Sequence, residues 1–338
     1  MKRALQAIIS LGITVGSFAW TFKDTKWHEL KESLLRANYL WLLPYLAILI
    51  AIHLARTLRW GNLLSPLEKV PFKSLNEAAG IGFMMLIVLP FRMGEFARPF
   101  LIAQRTQIRR SPAMTSVVFE RIVDGVLIGI LLRVLAFYLP PETPGLGAVT
   151  VGANLMFGVF FSGFCFLLLA RWQHERTLSL LRKLFGLLSP KLADRVVYVV
   201  DGFVGALRQL PDAKNLTAFI LFTAFYWGIN GWGMSVLANA FDLNLTVYQG
   251  FVVLSVLVCG MMIPAAPGSA GTFQASIVLA LGLFLPEGVV NSTGVAYANV
   301  LWLTQIVQQV AVGLVLMGLS KTSFSAVAGK LGEEQAQA

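Results

Sequence analysis

The sequence predicts an all-α polytopic membrane protein with six full spans and two re-entrant hairpins in an inverted repeat. Of the 338 residues, 57% are hydrophobic and 13% are charged, whereas soluble proteins carry about 25% charged residues. Stretches 243–286 and 288–320 contain no Asp, Glu, Lys, Arg or His, which is typical of a membrane-embedded chain. Cys165 and Cys259 lie in apolar runs, so neither a disulfide framework nor a thiolate metal site is expected. The composition excludes a soluble enzyme, a nucleic-acid-binding domain and a disordered chain.

Six apolar runs are long enough to cross a bilayer, because about 20 helical residues at 1.5 Å each cover about 30 Å of hydrocarbon. These runs are 4–22, 39–60, 113–139, 149–170, 215–241 and 293–319. The first run follows Lys2 and Arg3 and resembles a cleavable signal peptide. Its length and the apolar runs downstream favour a retained span.

The uneven distribution of positive charge predicts the orientation of the chain, since cytoplasmic segments collect Lys and Arg. With both termini in the cytoplasm, the inner segments hold 21 of the 27 Lys and Arg residues; they are 1–3, 56–73, 92–110, 171–214 and 321–338. The outer loops hold none; they are 140–148, 242–249 and 286–292. We therefore expect a bacterial inner (plasma) membrane protein with cytoplasmic N- and C-termini. The net charge of +10 then needs no nucleic acid to explain it.

Two further apolar segments do not fit as full spans. Segment 74–89 has basic flanks on both sides, so we expect a hairpin that enters from the cytoplasm, turns at 90–94 and returns through 95–107. Segment 247–285 is interrupted by PAAPGSAG, without any charge, so we expect a hairpin that enters from outside. Irregular backbone at membrane depth survives only beside protein or a water-filled cavity. These turns are therefore the first places to look for a site.

The same order of elements occurs twice: span, amphipathic surface segment, span, hairpin, span. The motif Pro-x-x-x-Gly occurs in both hairpins, at 90–94 and at 267–271. We predict one transmembrane domain (1–338) built from a first repeat (1–139) and an inverted second repeat (149–320) that carries cytoplasmic amphipathic helices (171–212). Inverted repeats with broken helices are typical of transporters, which bind their substrate where the repeats meet. The alternative is that Pro and Gly merely punctuate helices.

Ionisable residues within the apolar segments are candidate site residues, because a charge at bilayer depth costs about 2.5–3.5 kcal/mol or more. They are Arg56, Arg59, Arg92, Glu95, Arg98, Glu120, Arg121 and Asp124. Arginines outnumber acids, and guanidinium groups bind phosphate in bidentate fashion, so we expect a phosphate-bearing lipid headgroup here. Two alternatives remain: Arg56 and Arg59 snorkel to the interface beside an aromatic anchor, Trp60, or Glu95 and Arg98 form a structural ion pair.

The second hairpin suggests a different way to hold the same anionic headgroup. A helix starting near Thr272 would present free N–H groups near the midplane, and these favour an anion. The candidate residues at this turn are Gly268, Ser269, Gly271, Thr272 and Gln274. A polar stripe of Gln305, Gln308 and Gln309, with Tyr226 and Asn230, offers further hydrogen bonds. The alternative for all of these residues is hydrogen bonding between packed helices.

Four sequence blocks resemble the transmembrane region of the lysylphosphatidylglycerol synthases, a flippase-like family. They are RxxRWxxLL (56–64), LPFRMGEFAR (89–98), ERIVD (120–124) and PGSAGTFQ (267–274). The resemblance implies an integral inner-membrane protein related to the lipid-flipping half of those bifunctional enzymes. Gln274 and Ala270 stand where the family usually carries Glu and Leu, which argues against proton coupling in that block. The soluble aminoacyl-transferase domain is missing, so we expect the chain not to make the aminoacylated lipid.

Together these features favour a lipid translocase or lipid-binding transporter for a phospholipid or a polyprenyl-phosphate-linked lipid. We expect no catalytic residue, no cofactor and no metal, since no motif for nucleotides, metals or nucleophilic catalysis occurs. One alternative is a membrane-embedded transferase or hydrolase of a lipid-linked phosphate, with Glu95, Glu120 or Asp124 as the base. Another is an accessory subunit of an envelope lipid or glycan synthesis complex. A homo-oligomer is compatible with each of these functions.

Overall fold

A computed structural model of the chain describes residues 2–89, 94–187, 189–190, 193–194, 196–197, 200–201, 212–263, 266–325, 327 and 329. These residues form helices and no strand. The longer helices are α1 (Lys2–Phe22), α2 (Trp27–Arg36), α3 (Leu42–Leu64), α4 (Phe72–Val88), α5 (Ala97–Arg105), α6 (Arg110–Phe137), α7 (Leu146–Trp172), α8 (His174–Gly186), α9 (Ala213–Ala238), α10 (Val247–Gly260), α11 (Thr272–Leu281) and α12 (Val295–Leu319). A π-helical turn, Val290–Gly294, leads into α12.

Within the described residues, three helical stretches are long and apolar enough to span a membrane. They are Tyr39–Leu64, Leu146–Ala170 and Glu287–Leu319. The other predicted spans coincide with α1, α6 and α9, which contain 21, 28 and 26 residues. Large apolar side chains also face outward, as Leu155 and Val159 do on α7, where they are 64% and 65% exposed. The protein is an all-helical membrane protein, because only a lipid environment would accommodate so much apolar surface.

The first hairpin consists of α4 and α5, which pack antiparallel. Glu77 near the start of α4 pairs with Arg105 at the end of α5, at 3.4 Å. Further along, a Cβ on Gly82 would touch Arg98, and a Cβ on Gly94 would overlap the backbone of Leu86. The two arms therefore approach each other closely near the turn. The predicted turn itself falls largely on 90–93, which lie outside the described residues.

The second hairpin consists of α10 and α11, joined by an irregular segment. A Cβ on Gly260 would meet the side chain of Ser276, so the arms are in close contact. The turn uses left-handed backbone at Gly268, Ser269 and Gly271, with φ of 67°, 53° and 83°. Trp302 of α12 anchors it by donating from Nε1 to the Gly268 carbonyl at 2.9 Å. Of the predicted break at 264–271, residues 264 and 265 are outside the described part of the chain.

The two halves of the chain, 1–139 and 149–320, contact each other through elements that have the same place in the order of each half. Helix α3 packs against α9, where a Cβ on Gly233 would lie 3.1 Å from Cγ2 of Ile48. The first arm of each hairpin packs against the last long helix of the other half: α4 contacts α12, and α10 contacts α6. Tyr248 of α10, for example, donates to the Leu135 carbonyl of α6 at 2.7 Å. Each hairpin is thus enclosed partly by the opposite half.

Two hydrophobic clusters form the core, and the charged candidates lie between them. On α3, Ile52 belongs to the larger cluster and Trp60 to the smaller one. On α6, Val117 belongs to the smaller cluster and Ile128 to the larger one. Arg59, Glu120 and Asp124 therefore lie in a polar layer across the middle of the helix bundle.

The amphipathic segments are helical where they are described. Helix α2 has no fully buried residue, and it contacts the π-helical turn through a 2.9 Å hydrogen bond between the hydroxyls of Ser33 and Thr293. Helix α8 accounts for the first part of the predicted segment 171–212. Much of the remainder, including 202–211, lies outside the described residues.

Candidate functional site

Arg59 lies at the centre of a buried ion network between α3 and α6. Its guanidinium donates to both carboxylate oxygens of Asp124 at 2.7 Å and to Oε1 of Glu120 at 2.8 Å. Trp227 of α9 donates from Nε1 to Asp124 Oδ1 at 2.9 Å. Glu120 and Asp124 are one helical turn apart, so both reach the same guanidinium. A buried ion pair is tolerated when its hydrogen bonds offset the cost of desolvation. Here both oxygens of Asp124 accept hydrogen bonds, and the charge of Arg59 neutralises the carboxylate.

Arg98 links the first hairpin to this network. Its Nη2 donates to Glu120 Oε1 at 3.3 Å, and its guanidinium lies 4.9 Å from the ring centroid of Trp60 and 4.8 Å from that of Phe83. Trp60 is fully buried and donates to Ser116 Oγ at 2.9 Å. Trp60 is therefore a core residue rather than the interfacial anchor of the snorkelling alternative. An ion pair does hold the hairpin, but the partner of Arg98 is Glu120 on α6.

Arg56 and Arg121 form no hydrogen bond or ion pair with any other described residue. The guanidinium of Arg56 lies 3.4 Å from the ring centroid of Phe83, in cation–π contact. The Nε of Arg121 is buried and unpaired. Because α3 continues to Leu64 rather than ending near residue 60, Arg56 lies two turns inside the helix. Neither arginine lies on the outer surface of the protein, because both line the same cavity.

This cavity has a volume of about 390 Å³ and lies between the two hairpins. The first hairpin contributes Phe83, Leu86 and Glu95, and the second contributes Gly268, Ser269 and Phe273. The surrounding helices contribute polar and aromatic side chains; they are His53, Arg56, Arg121, Asp124, Tyr226, Trp227, Asn230, Trp302, Gln305, Gln308 and Gln309. One cavity therefore contacts both halves of the chain.

The structure separates the predicted site residues into three groups. Those on the cavity wall are Arg56, Glu95, Arg121, Asp124, Gly268 and Ser269. Arg59, Arg98 and Glu120 are buried behind the wall and hold it in place. Gly271, Thr272 and Gln274 do not line the cavity. Arg92 lies outside the described residues.

The start of α11 differs from the expected open anion site. Gln274 caps it by accepting from the Gly271 N–H at 2.9 Å, and Thr272 donates to the Ser269 carbonyl at 3.0 Å. Gly271 packs against α1, where its Cβ position lies 2.8 Å from the Thr14 carbonyl oxygen. The helix start therefore faces α1 rather than the cavity. Only the preceding residues of the turn, Gly268 and Ser269, reach the wall.

The aromatic rings beside the arginines could not be predicted from the sequence. Phe83 and Tyr226 both lie within cation–π distance of Arg56, and Tyr226 also lies 4.7 Å from Arg59. In the sequence, Tyr226 was a candidate only for hydrogen bonding, and Phe83 looks like an ordinary core or lipid-facing side chain. The polar stripe of glutamines on α12 was visible in the sequence, and the structure gives its members different hydrogen-bonding environments. Gln305 donates to the Tyr45 hydroxyl at 2.9 Å, as expected for helix packing.

Comparison with known proteins shows a family match over most of the chain. Residues 7–313 match the family model described as the lysylphosphatidylglycerol synthase TM region. The match includes both hairpins and every described residue of the cavity wall. No curated protein and no solved structure matches the chain. The chain therefore belongs to the lysylphosphatidylglycerol synthase TM region family, whose members are membrane proteins of lipid metabolism or transport.

Proposed function

We propose that the protein translocates a phosphate-bearing lipid across the membrane, with the headgroup held in the cavity between the hairpins. The observation that carries this function is the pair of arginines, Arg56 and Arg121, that line the cavity and form no direct ion pair with any described residue. Nε of Arg121 is also buried without a hydrogen-bond partner. A buried charge without a partner is costly, and a bound anion removes that cost. Guanidinium groups bind phosphate with paired, charge-assisted hydrogen bonds.

The charges of the cavity wall match a phosphodiester. Asp124 is neutralised by Arg59, which leaves Glu95 as the other carboxylate on the wall. Arg56 and Arg121 therefore give this part of the wall an excess of positive charge. A phosphodiester carries a single negative charge and would compensate this excess. Arg59, Glu120 and Asp124 would fix the positions of α3 and α6 on either side of the headgroup.

For the architecture, we propose re-entrant hairpins within an inverted repeat of 1–139 and 149–320. The proposal is supported by the exchange of partners, in which α4 packs on α12 and α10 packs on α6. It is also supported by the cavity, which described residues of both hairpins border. In such a design, rocking one repeat against the other would open the cavity to each leaflet in turn. The distribution of Lys and Arg supports cytoplasmic termini in a bacterial inner membrane.

The enzyme alternative has less support. Glu120 is fully buried and does not line the cavity, and Asp124 accepts three hydrogen bonds, so neither carboxylate is placed to act as a general base on a bound lipid. Among the three carboxylates first considered, a transferase or hydrolase would have to rely on Glu95.

A proteoliposome assay of headgroup accessibility tests the translocase. We expect Arg56→Gln and Arg121→Gln each to lower the rate of lipid translocation roughly 10-fold or more, since a hydrogen bond to a charged group is worth about 1.5–3 kcal/mol. Arg133→Gln is the matched control, because Arg133 lies on α6 outside the cavity and contacts Phe157 instead. Wild-type rates for both cavity variants, at equal insertion, would contradict the function.

A further inference from the structure

The cavity contains a second polar surface that the translocase proposal does not use. Gln308, Gln309 and Asn230 line it together with the turn residues Gly268 and Ser269. The side chains of Gln308 and Gln309 form no hydrogen bond with any described residue, and Nε2 of Gln308 is buried without a partner. Asn230 makes one long bond, from Nδ2 to the Tyr226 carbonyl at 3.4 Å. Hydrogen bonding between helices therefore explains Gln305 but leaves Gln308 and Gln309 unexplained.

The amide groups and the arginines lie at different levels of the cavity. Gln305 of α12 reaches Tyr45 of α3, and the Cβ position of Gly80 lies within 3.4 Å of both His53 of α3 and Val312 of α12. These contacts show that α3 and α12 run in the same direction, with Gln305 level with Tyr45 and Val312 level with His53. Gln308 and Gln309 are then about two turns, on the order of 10 Å, from the level of Arg56.

We infer that the cavity recognises a lipid phosphodiester whose headgroup is a neutral, sugar-sized polyol. This inference rests on the proposed function and specifies its substrate class. The phosphate would lie between Arg56 and Arg121, and the hydroxyls beyond it would meet Gln308, Gln309 and Asn230. An amide side chain both donates and accepts hydrogen bonds, as a hydroxyl does, so a group of amides suits a polyol. A buried amide left unpaired would also penalise a headgroup that lacks hydroxyls.

An ammonium headgroup fits this wall less well. It would place a positive charge in a cavity that already holds Arg56 and Arg121. Asp124 is already bound by Arg59 and Trp227, and the two arginines outnumber Glu95, the other carboxylate on the wall. The neutral amide groups offer no compensating charge. The cavity therefore selects against amine-bearing phospholipids by electrostatic repulsion as well as by lost hydrogen bonds.

Native mass spectrometry of the full-length protein in detergent, titrated with defined lipids, tests the inference. The probes are phosphatidylinositol, phosphatidylethanolamine and phosphatidic acid. We expect the wild-type protein to bind phosphatidylinositol at least tenfold more tightly than phosphatidylethanolamine. The double variant Gln308→Met/Gln309→Met should lose about tenfold in affinity for phosphatidylinositol and keep its affinity for phosphatidic acid. Leu303→Met, at an exposed position of α12, is the control.

The possible failures are distinguishable. Equal binding of phosphatidylinositol and phosphatidylethanolamine by the wild-type protein overturns the inference without any variant. The inference is also overturned if the folded double variant, or the single variants Gln308→Met and Gln309→Met, prefer phosphatidylinositol to phosphatidylethanolamine as strongly as the wild-type protein does. If instead Arg56→Gln binds phosphatidic acid as tightly as wild type does, the phosphate site is wrong and the proposed function fails.

Discussion

Arg59 illustrates how far sequence reasoning reaches at the scale of single residues. The spacing of Glu120 and Asp124 predicts that they share a face of a helix, and the structure confirms this, since both bind one guanidinium. Which arginine reaches them was not predictable, because it depends on how α3 and α5 pack against α6. The same limit explains Arg98: local spacing suggested Glu95 as its partner, whereas long-range packing brings it to Glu120.

A first prediction concerns the stability of this network. Asp124→Asn removes one of the two negative charges that compensate the buried Arg59, and breaking a buried ion pair costs about 3–5 kcal/mol. We expect it to lower the thermal unfolding temperature of the detergent-solubilised protein by far more than Arg121→Gln, which breaks no bond between described residues. Asp242→Asn, at an exposed carboxylate, is the control. An unfolding temperature equal to wild type would show that the pair does not stabilise the fold.

At the scale of elements, apolar runs predicted helices well and helix ends poorly. The predicted spans all coincide with long helices in the described residues, yet α3 extends to Leu64. Gly61 and Asn62 resemble a helix end in the sequence, but Leu63 and Leu64 are buried in the core and extend the helix. For α11, in contrast, the sequence predicted where the helix starts, but it did not predict that Gln274 caps this start. Capping depends on the exact backbone angle at Gly271.

The first hairpin gives a prediction at this scale. A Cβ at position 94 would overlap the backbone of Leu86, which cannot move aside as a flexible side chain can. Gly94→Ala should therefore force the arms of the hairpin apart, and overpacking of this kind costs about 1–3 kcal/mol. We expect a lower yield of folded protein and a lower unfolding temperature.

Gly158→Ala is the matched control for this change. Nothing lies within 4 Å of a Cβ at position 158, so alanine should be neutral there or should stabilise α7 through its better helix propensity. Equal unfolding temperatures for the two variants would show that close packing at Gly94 is not required.

At the scale of the whole molecule, the sequence predicted a site where the two halves meet, but not which side chains would form its wall. Arg56, Asn230, Ser269 and Gln308 come from different helices or turns, and only the packing of both halves brings them together. Their spacing along the chain contains no signal of this meeting. The inverted repeat that the order of elements suggested stays a prediction.

A disulfide between the halves would test whether they must move. The Cβ position of Gly80 on α4 lies 3.4 Å from Cγ1 of Val312 on α12, which is within reach of a cross-link. In a background without Cys165 and Cys259, oxidation of Gly80→Cys/Val312→Cys should abolish translocation, and reduction should restore it. Full activity of the completely cross-linked protein would contradict movement between these helices.

A cross-link within one repeat is the matched control. Gly152 of α7 faces Cys259 of α10, with its Cβ position 3.2 Å from the native sulfur, and both helices belong to the second repeat. Gly152→Cys with Cys259 retained should therefore form a disulfide that leaves translocation unchanged. Loss of activity here would indicate that oxidation itself, rather than the joining of the halves, inhibits the protein.

The indole of Trp227 reaches Asp124 from the opposite half of the chain, so one hydrogen bond joins the two halves at this carboxylate. If α9 withdrew from α6, Asp124 would lose one donor but keep both of its bonds to Arg59. The separation would thus break one hydrogen bond to a charged group, which contributes about 1.5–3 kcal/mol. The halves could part at this contact repeatedly without ever leaving a bare carboxylate inside the bilayer.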